Sequence, residues 1–397
     1  MSLHIGTGFS IGGEAYSVGV NASQDAFGKI KDVTPVFGLV FASASYDQEQ
    51  VASGVRSVFE DVPFIGASSV GEMVEGGVVN QDAVVVLLVC SEERKAFSTH
   101  SVFLEGVTER KVGIEAAKAI RKELGGTPDL SFVFSDTLSE ATPHAFISAF
   151  LKESKGPLVG AGAADGFDFT ETYQHHNGKV KTNSAVFAGI RGKLRCGIGT
   201  DHGLLPAGTP HTVTRARGVH VEKINDEPAL MIYREYFGYE DLQQYTREPL
   251  GKLSSFYPLG FRYSLEERFL TVRTPLFLES DGSLRCSDVI PEGSKVQIMI
   301  GGKEEALESV REATERAQKE LGDSVEPSLA IVISGAGRKR PFGSDLNEEI
   351  QEVCATLGRS DIPTVGLYSY GTMTSAPPVN DEHAVFQDCS ITVCLIA

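Results

Sequence analysis

The chain has 397 residues, room for two or three domains at about 150 residues apiece, and its 41% hydrophobic content can fill a sizeable core. Thirty-six basic against 53 acidic residues leave a net charge of -17, which repels phosphate backbones and excludes nucleic acid as a broad partner; the one basic run, Arg338-Lys339-Arg340, is short. No apolar leader follows Met1, and the eight-residue apolar run Ala83–Cys90 is too short for a bilayer that takes roughly 20 helical residues, so a cytoplasmic location without membrane insertion is expected.

In chain order, a helix is predicted over Ser17–Ile30, weakened by Gly19 and Gly28, then a strand over Val36–Ala42 and a helix over Glu49–Phe59 with Val51, Val55, Val58 and Phe59 at helical spacing. Residues 63–72 read PFIGASSVGE, a strand running into a Gly-rich turn, and Ala83–Cys90 is the next strand. The order then returns: helix Glu115–Leu124, strand Leu130–Phe134, helix Ala141–Leu151, the motif PLVGAGAADG at 157–166 and strand Ala185–Ile190. Leu204–Pro210 reads as a linker into a β-rich segment, 211–303, with strands His211–Val221, Phe269–Leu278 and Val296–Ile300, a short helix Ala229–Phe237 ended by Gly238, and a turn at Asp281-Gly282. The order appears a third time: helix Glu304–Leu321, strand Leu329–Ile333, helix Leu346–Leu357, the motif PTVGLYSYGT at 363–372 and strand Cys389–Ile396.

Three related helix–strand–helix–strand–loop–strand units follow, near 14–92, 110–191 and 304–397. Each motif has Pro first and Gly fourth: Pro suits a strand start, and Gly permits close backbone approach. The last strand of each unit follows a loop, which suits antiparallel pairing, so the fold class is α/β or α+β with mixed sheets rather than a doubly wound parallel sheet. Two larger domains are expected, 1–205 with the first two units and 206–397 with the β-rich segment and the third.

The Gly-rich turns are the natural crevice at strand ends. They offer Ser68, Ser69 and Glu72 from the first, Asp165 from the second, and Tyr368, Ser369, Tyr370 and Thr372 from the third, hydroxyls and carboxylates able to hold a small polar ligand. The second turn continues to Asp168, Thr170 and Tyr173, of which Asp168 and Thr170 read as turn packing. No GxGxxG strand-to-helix element and no phosphate loop is present. Gly301-Gly302-Lys303 reads as a turn, Gly335–Lys339 as an exposed insertion and His175-His176 as surface. Nothing in the spacing joins a base to Ser68, Ser69 or Cys196, the candidate nucleophiles, and His202 beside Asp201 and His383 beside Asp381 and Glu382 are weak metal fragments. No catalytic residue, metal or cofactor is assigned. The cysteines, at 90, 196, 286, 354, 389 and 394, form no CxxC, and all but Cys286 sit in or beside apolar runs, so buried free thiols are expected.

The segments Gly66-Ala67-Ser68-Ser69-Val70-Gly71-Glu72 with Asp82–Cys90, Pro157–Asp165 with Asn183–Gly189, and Gly366-Leu367-Tyr368-Ser369-Tyr370-Gly371 resemble the FIST family over nearly the whole chain, roughly 30–200 and 215–385. The sequence departs from the family at Gly371-Thr372, where Gly-Glu is usual, and over Ala384–Cys389. The resemblance implies a non-catalytic sensory module in signal transduction that binds a small polar metabolite such as an amino acid and couples to a separate signalling protein. Two other readings stay open: a scaffold whose aromatic-rich stretch 233–263 forms an exposed apolar patch, and a hydrolase or transferase using Ser68, Ser69 or Cys196.

Overall fold

The computed structural model describes residues 4–397 apart from 31–32, 80, 91–96, 193, 239–243, 246–247, 263–269 and 376–384. The first third forms β1 (His4–Ile11), α1 (Ala15–Gly28), β2 (Pro35–Ser43), α2 (Gln48–Phe59), β3 (Phe64–Ser69), a hairpin of β4 (Glu72–Val74) and β5 (Gly77–Val78), and β6 (Ala83–Cys90). The second forms β7 (Phe97–Phe103), α3 (Glu109–Leu124), β8 (Leu130–Ser135), α4 (Pro143–Ser154), β9 (Leu158–Gly162), a hairpin of β10 (Gln174–His176) and β11 (Lys179–Lys181), and β12 (Ser184–Ile190). After β13 (Cys196–Asp201) come β14 (Leu205–Arg217), β15 (His220–Ile224), β16 (Glu227–Pro228), α5 (Met231–Phe237), α6 (Gly251–Ser254), β17 (Leu259–Arg262), β18 (Thr271–Arg273), β19 (Pro275–Leu278), β20 (Leu284–Cys286) and β21 (Lys295–Ile300). The chain ends through α7 (Lys303–Leu321), β22 (Leu329–Gly335), α8 (Lys339–Phe342), α9 (Asn347–Leu357), β23 (Thr364–Ser369), a hairpin of β24 (Thr372–Thr374) and β25 (Val385–Gln387), and β26 (Ile391–Ile396).

Helix ends follow local chemistry. Asp47 caps α2 by accepting the Gln50 N–H at 3.1 Å. Gly125 and Gly358 end α3 and α9 in the left-handed conformation.

The α/β sheets are mixed, as expected. Strands β2 and β3, β8 and β9, and β22 and β23 pair parallel across a helical crossover, while β6, β12 and β26 return antiparallel to β2, β8 and β22. Two features were not foreseen. Each sheet has an added edge strand, β1, β7 or β13, and each loop contains a hairpin that leaves its own sheet. The hairpin β4–β5 pairs with β23, β10–β11 with β3, and β24–β25 with β9, so the exchange closes a ring. The line at 205 therefore does not part the strands, since β13 pairs with β26 and β4 with β23.

The three sheets turn one face each into a shared core that includes Phe37, Leu39, Phe132, Phe134, Ile331 and Ile333. Phe37 stacks on Phe132 of the second sheet at 6.1 Å, and Phe41 meets Phe134 edge-on at 5.4 Å. The outer faces are covered by α1–α2, α3–α4 and α7–α9 in three further clusters. Strands buried on both faces explain why Ala83–Cys90 is apolar throughout.

The segment between β13 and α7 is a β-rich lobe with a core of its own around Val213, Tyr233, Leu250, Phe261 and Ile298. Leu204–Pro210 is no linker: β14 begins at Leu205 and pairs with β21. The predicted strand from Phe269 to Leu278 breaks into β18 and β19, and Phe269 itself lies outside the described residues. The lobe's aromatics are mostly internal; of the described residues of 233–263, Tyr236, 39% exposed, is the large one left outside. Tyr239 and Tyr263 lie outside the described residues. Among the described residues no helix is long and apolar enough to cross a membrane.

Candidate functional site

The fourth-position glycines show why the motif is built as it is. Gly66, Gly160 and Gly366 lie opposite Val40, Val133 and Val332 in the parallel ladders, and a Cβ on any of them would collide with that valine's carbonyl oxygen. The strands can then run close together into their turns, and the turns bond to one another. The eighth residue of each motif donates its N–H to the sixth of another: Val70 to Tyr368 at 3.1 Å, Ala164 to Ser68 at 2.9 Å, and Tyr370 to Gly162 at 3.0 Å. These three bonds close a second ring where the sheets meet.

The eight candidate residues are all buried here, and they fall into separate groups rather than one crevice. Ser68 donates to the Ala164 carbonyl at 2.7 Å and accepts from the Tyr173 N–H at 3.1 Å. Glu72 accepts from the hydroxyls of Ser69 and, at 2.8 Å, Ser43. Burial pushes the Glu72 carboxyl up to about 7, opposed by the Ser69 and Ser43 hydrogen bonds and by nearby Lys339. Lys339, itself lowered by burial, donates to the Val70 carbonyl at 2.6 Å.

Tyr368 donates to Glu349 at 2.7 Å, and Glu349 pairs with Arg338 at 2.7 Å with both side chains buried. Gly335–Lys339 is therefore no exposed insertion, and Arg338 is held by Glu349, Ser309 and the Ala306 carbonyl. Thr372 is bonded to Ser390 at 2.7 Å, and Ser369 donates to the Gly371 carbonyl at 3.0 Å.

Asp165 and Tyr370 are brought together. The Asp165 carboxylate accepts from the Tyr370 hydroxyl at 2.7 Å and from the N–H groups of Phe169, Thr170 and Glu171 at 2.9, 2.6 and 3.0 Å. Burial and the Asp165 charge push the Tyr370 phenol up, so it stays neutral and donates.

Beneath Tyr370 lies a cavity of about 20 Å³, lined by Ser369, Tyr370 and Gly371 on one side and by Thr274, Leu276 and Ser287 of the lobe on the other. That is room for about one water, which takes roughly 10–15 Å³ on this measure. Asp388 also lines it, accepting from the Thr274 N–H at 2.6 Å and from the Ser287 hydroxyl. Burial raises the Asp388 carboxyl, against the pull of Ser287 and Arg273. Asp388, Thr274, Ser287, Ser255 and Thr137 were missed because each is distant in sequence from the turns; the signal available was Asp388-Cys389 just ahead of the last strand, where Cys389 adopts φ 53°.

The candidate nucleophiles differ in surroundings. Ser68 bonds only to backbone groups, and Cys196, half-buried against the shared core, is pushed up to about 12 by burial and donates to the Asp129 carbonyl. Ser69 does touch a carboxylate, Glu72, but both are fully enclosed.

His175 is not on the surface. It is buried on β10, its Nε2 donates to Gln48 at 2.9 Å, its Nδ1 has no partner, and burial lowers it to about 4. The Gln48 amide is oriented by donating to the Ser43 and Tyr46 carbonyls, which fixes that tautomer. His202 is buried too; its Nδ1 accepts from the Leu204 N–H at 2.8 Å, and Asp201 pairs with Arg316 at 2.8 Å. His383, Asp381 and Glu382 lie outside the described residues. No group of three potential metal ligands occurs among the described residues.

Comparison with known proteins places these features. The FIST N domain matches residues 36–227 and the FIST C domain matches 229–374. An uncharacterized protein of Methanocaldococcus jannaschii is 23% identical over 303 residues, 70% of this chain; the match spans 57% of that relative's length. With both domains matched in order, the chain belongs to the FIST family.

Proposed function

We propose that the protein is a cytoplasmic sensory module whose ligand, a small polar metabolite such as an amino acid, enters at the cavity between the third turn and the lobe. FIST domains are sensory modules, and the observation that carries the site is where this cavity sits. Its walls come chiefly from the third turn with its neighbours Ala336, Gly337, Asp388 and Cys389, and from the lobe, with Thr137 and Phe169 closing the rest, and the turn is hydrogen-bonded to the other two sheets. A ligand larger than water must part those walls, so occupancy and movement of the lobe are linked, which is what a signal to a separate protein requires. Of the eight sequence candidates, Ser369 and Tyr370 line the cavity and Asp165 supports Tyr370; Ser68, Ser69, Glu72, Tyr368 and Thr372 act in the surrounding frame.

Thermal-shift screening against amino acids, organic acids and nucleotides tests this. A ligand at 100 times its Kd adds about 2.7 kcal/mol to folding stability. Thr274→Leu, which projects a larger side chain at the lobe wall, is expected to abolish the shift while the protein still melts cooperatively. No stabilisation by any class sinks the proposal.

A further inference from the structure

Glu72 stands where the chain passes from the first sheet to the third. Its backbone already lies in the third sheet, opposite Leu367 of β23, while its side chain stays in the first, held by Ser43 of β2 and Ser69 of β3. The carboxyl is fully buried, and its hydrogen-bond partners are these two neutral hydroxyls.

The hydroxyls serve either protonation state. Ser69 Oγ also lies 3.2 Å from the Ala42 carbonyl, so a protonated Glu72 can donate to Ser69 while Ser69 donates to Ala42. When Glu72 ionises, the Ser69 hydroxyl turns back to the carboxylate, and Ser43, whose Oγ accepts the Ala83 N–H at 2.9 Å, still donates to it. The charge is then closed off from water, and two hydroxyls offset only part of its lost hydration. The shortest route to water is to lift the hairpin. Strands β4 and β5 have three and two residues and form the outer end of the third sheet. They are tied down by the short register with β23 and by the Val78 N–H donating to Asn347 at 2.8 Å.

The charges around Glu72 are few. Lys339 of α8 favours its ionised form, Asp82 ahead of β6 opposes it, and the nearby Tyr46 phenol donates to the Asp82 carbonyl. Strands β2, β3, β5, β6 and β23 bring only Cys90 and Tyr368 as titratable side chains, and Tyr368 is bonded to Glu349, which Arg338 neutralises. On α9, Glu348 and Glu352 pair with Lys303 and Arg311, and Glu75 in the hairpin's own turn is exposed.

We propose that Glu72 is a proton-operated latch between the first and third sheets: protonated, it holds β4–β5 on β23, and loss of its proton to solvent frees the hairpin. The latch is independent of the cavity reading. Helix α8 connects it to the lobe, since Lys339 donates to the Val70 carbonyl and the adjacent Arg340 lies over the Tyr257 ring at 4.2 Å.

Amide hydrogen exchange of the full chain between pH 6 and 8, corrected for intrinsic rates, tests this. The Val78 and Val79 amides are expected to be less protected than those of β22, because they exchange through a local opening. Their protection is expected to fall about ten-fold over this range, as follows for a carboxyl that releases its proton near 7 when buried and 4.5 when open. In Glu72→Gln the fall disappears. A fall that persists in that variant assigns the proton to another group, Lys339 first, and overturns the proposal. So does a hairpin as well protected as β22, which leaves only when the whole fold does. Should the variant not fold, carbon NMR titration of the Glu72 carboxyl in wild type decides, and a midpoint near 4.5 overturns the latch.

Discussion

Glu72 shows how far a single residue's role depends on what surrounds it. Its carboxyl is released near pH 7 in the fold against 4.5 ordinarily, so the folded state holds the proton more tightly, and the stability this gives is complete below pH 4.5 and lost as pH rises through 7. His175 works in the opposite direction: lowered to about 4 from 6.5, it supports the fold above pH 6.5 and withdraws that support as pH falls through 4. Between pH 4.5 and 6.5 the two slopes oppose each other. Glu72→Gln keeps the shape and removes one slope. The variant is expected to match wild type at pH 4 and to exceed it at pH 8 by up to about 3 kcal/mol, read by urea unfolding at both pH values. Equal stabilities at pH 8 would show that Glu72 ionises there without strain.

At the scale of elements, the three motifs set the distance between paired strands. Gly160→Ala forces a Cβ into the Val133 carbonyl and is expected to cost about 3 kcal/mol or to prevent folding. Gly28→Ala, at the end of α1 where nothing lies within 4 Å, is expected to be neutral or mildly stabilising, so the pair of melting curves separates crowding from glycine content. Most helices and central strands were legible in the sequence because one face or both faces of each is apolar. The edge strands were not: β1 contains Gly6 and Gly8, needed because a Cβ at either would strike the backbone of α1, and glycine reads as loop. The hairpin β10–β11 was hidden likewise, since His175 and His176 look like surface until Gln48 and Thr99 supply their polar contacts. The same applies to the site. Ser369 and Tyr370 were found from a local motif, but Asp388, Thr274 and Ser287 meet them only through pairings formed across the chain.

The whole molecule is held by exchange. No sheet is complete from its own third of the chain, because β3, β9 and β23 each take their outer partner from elsewhere. A fragment of residues 1–205 would keep β9 without β24 and β4 without β23. Such bare edges pair with whatever strand is near. The fragment is expected to self-associate, as measured by light scattering after size exclusion, whereas a monomer that melts cooperatively would show that the exchanged hairpins are dispensable. The ring also has a consequence for how the protein is made. On the ribosome, β4–β5 emerges long before β23, and β9 long before β24, so the early sheets wait for partners still to be translated. Pairing of such sequence-distant strands is slow in any case. The nascent chain is thus most open to chaperones, and to errors with its neighbours, until β23 to β25 appear and the last gap in the ring is filled.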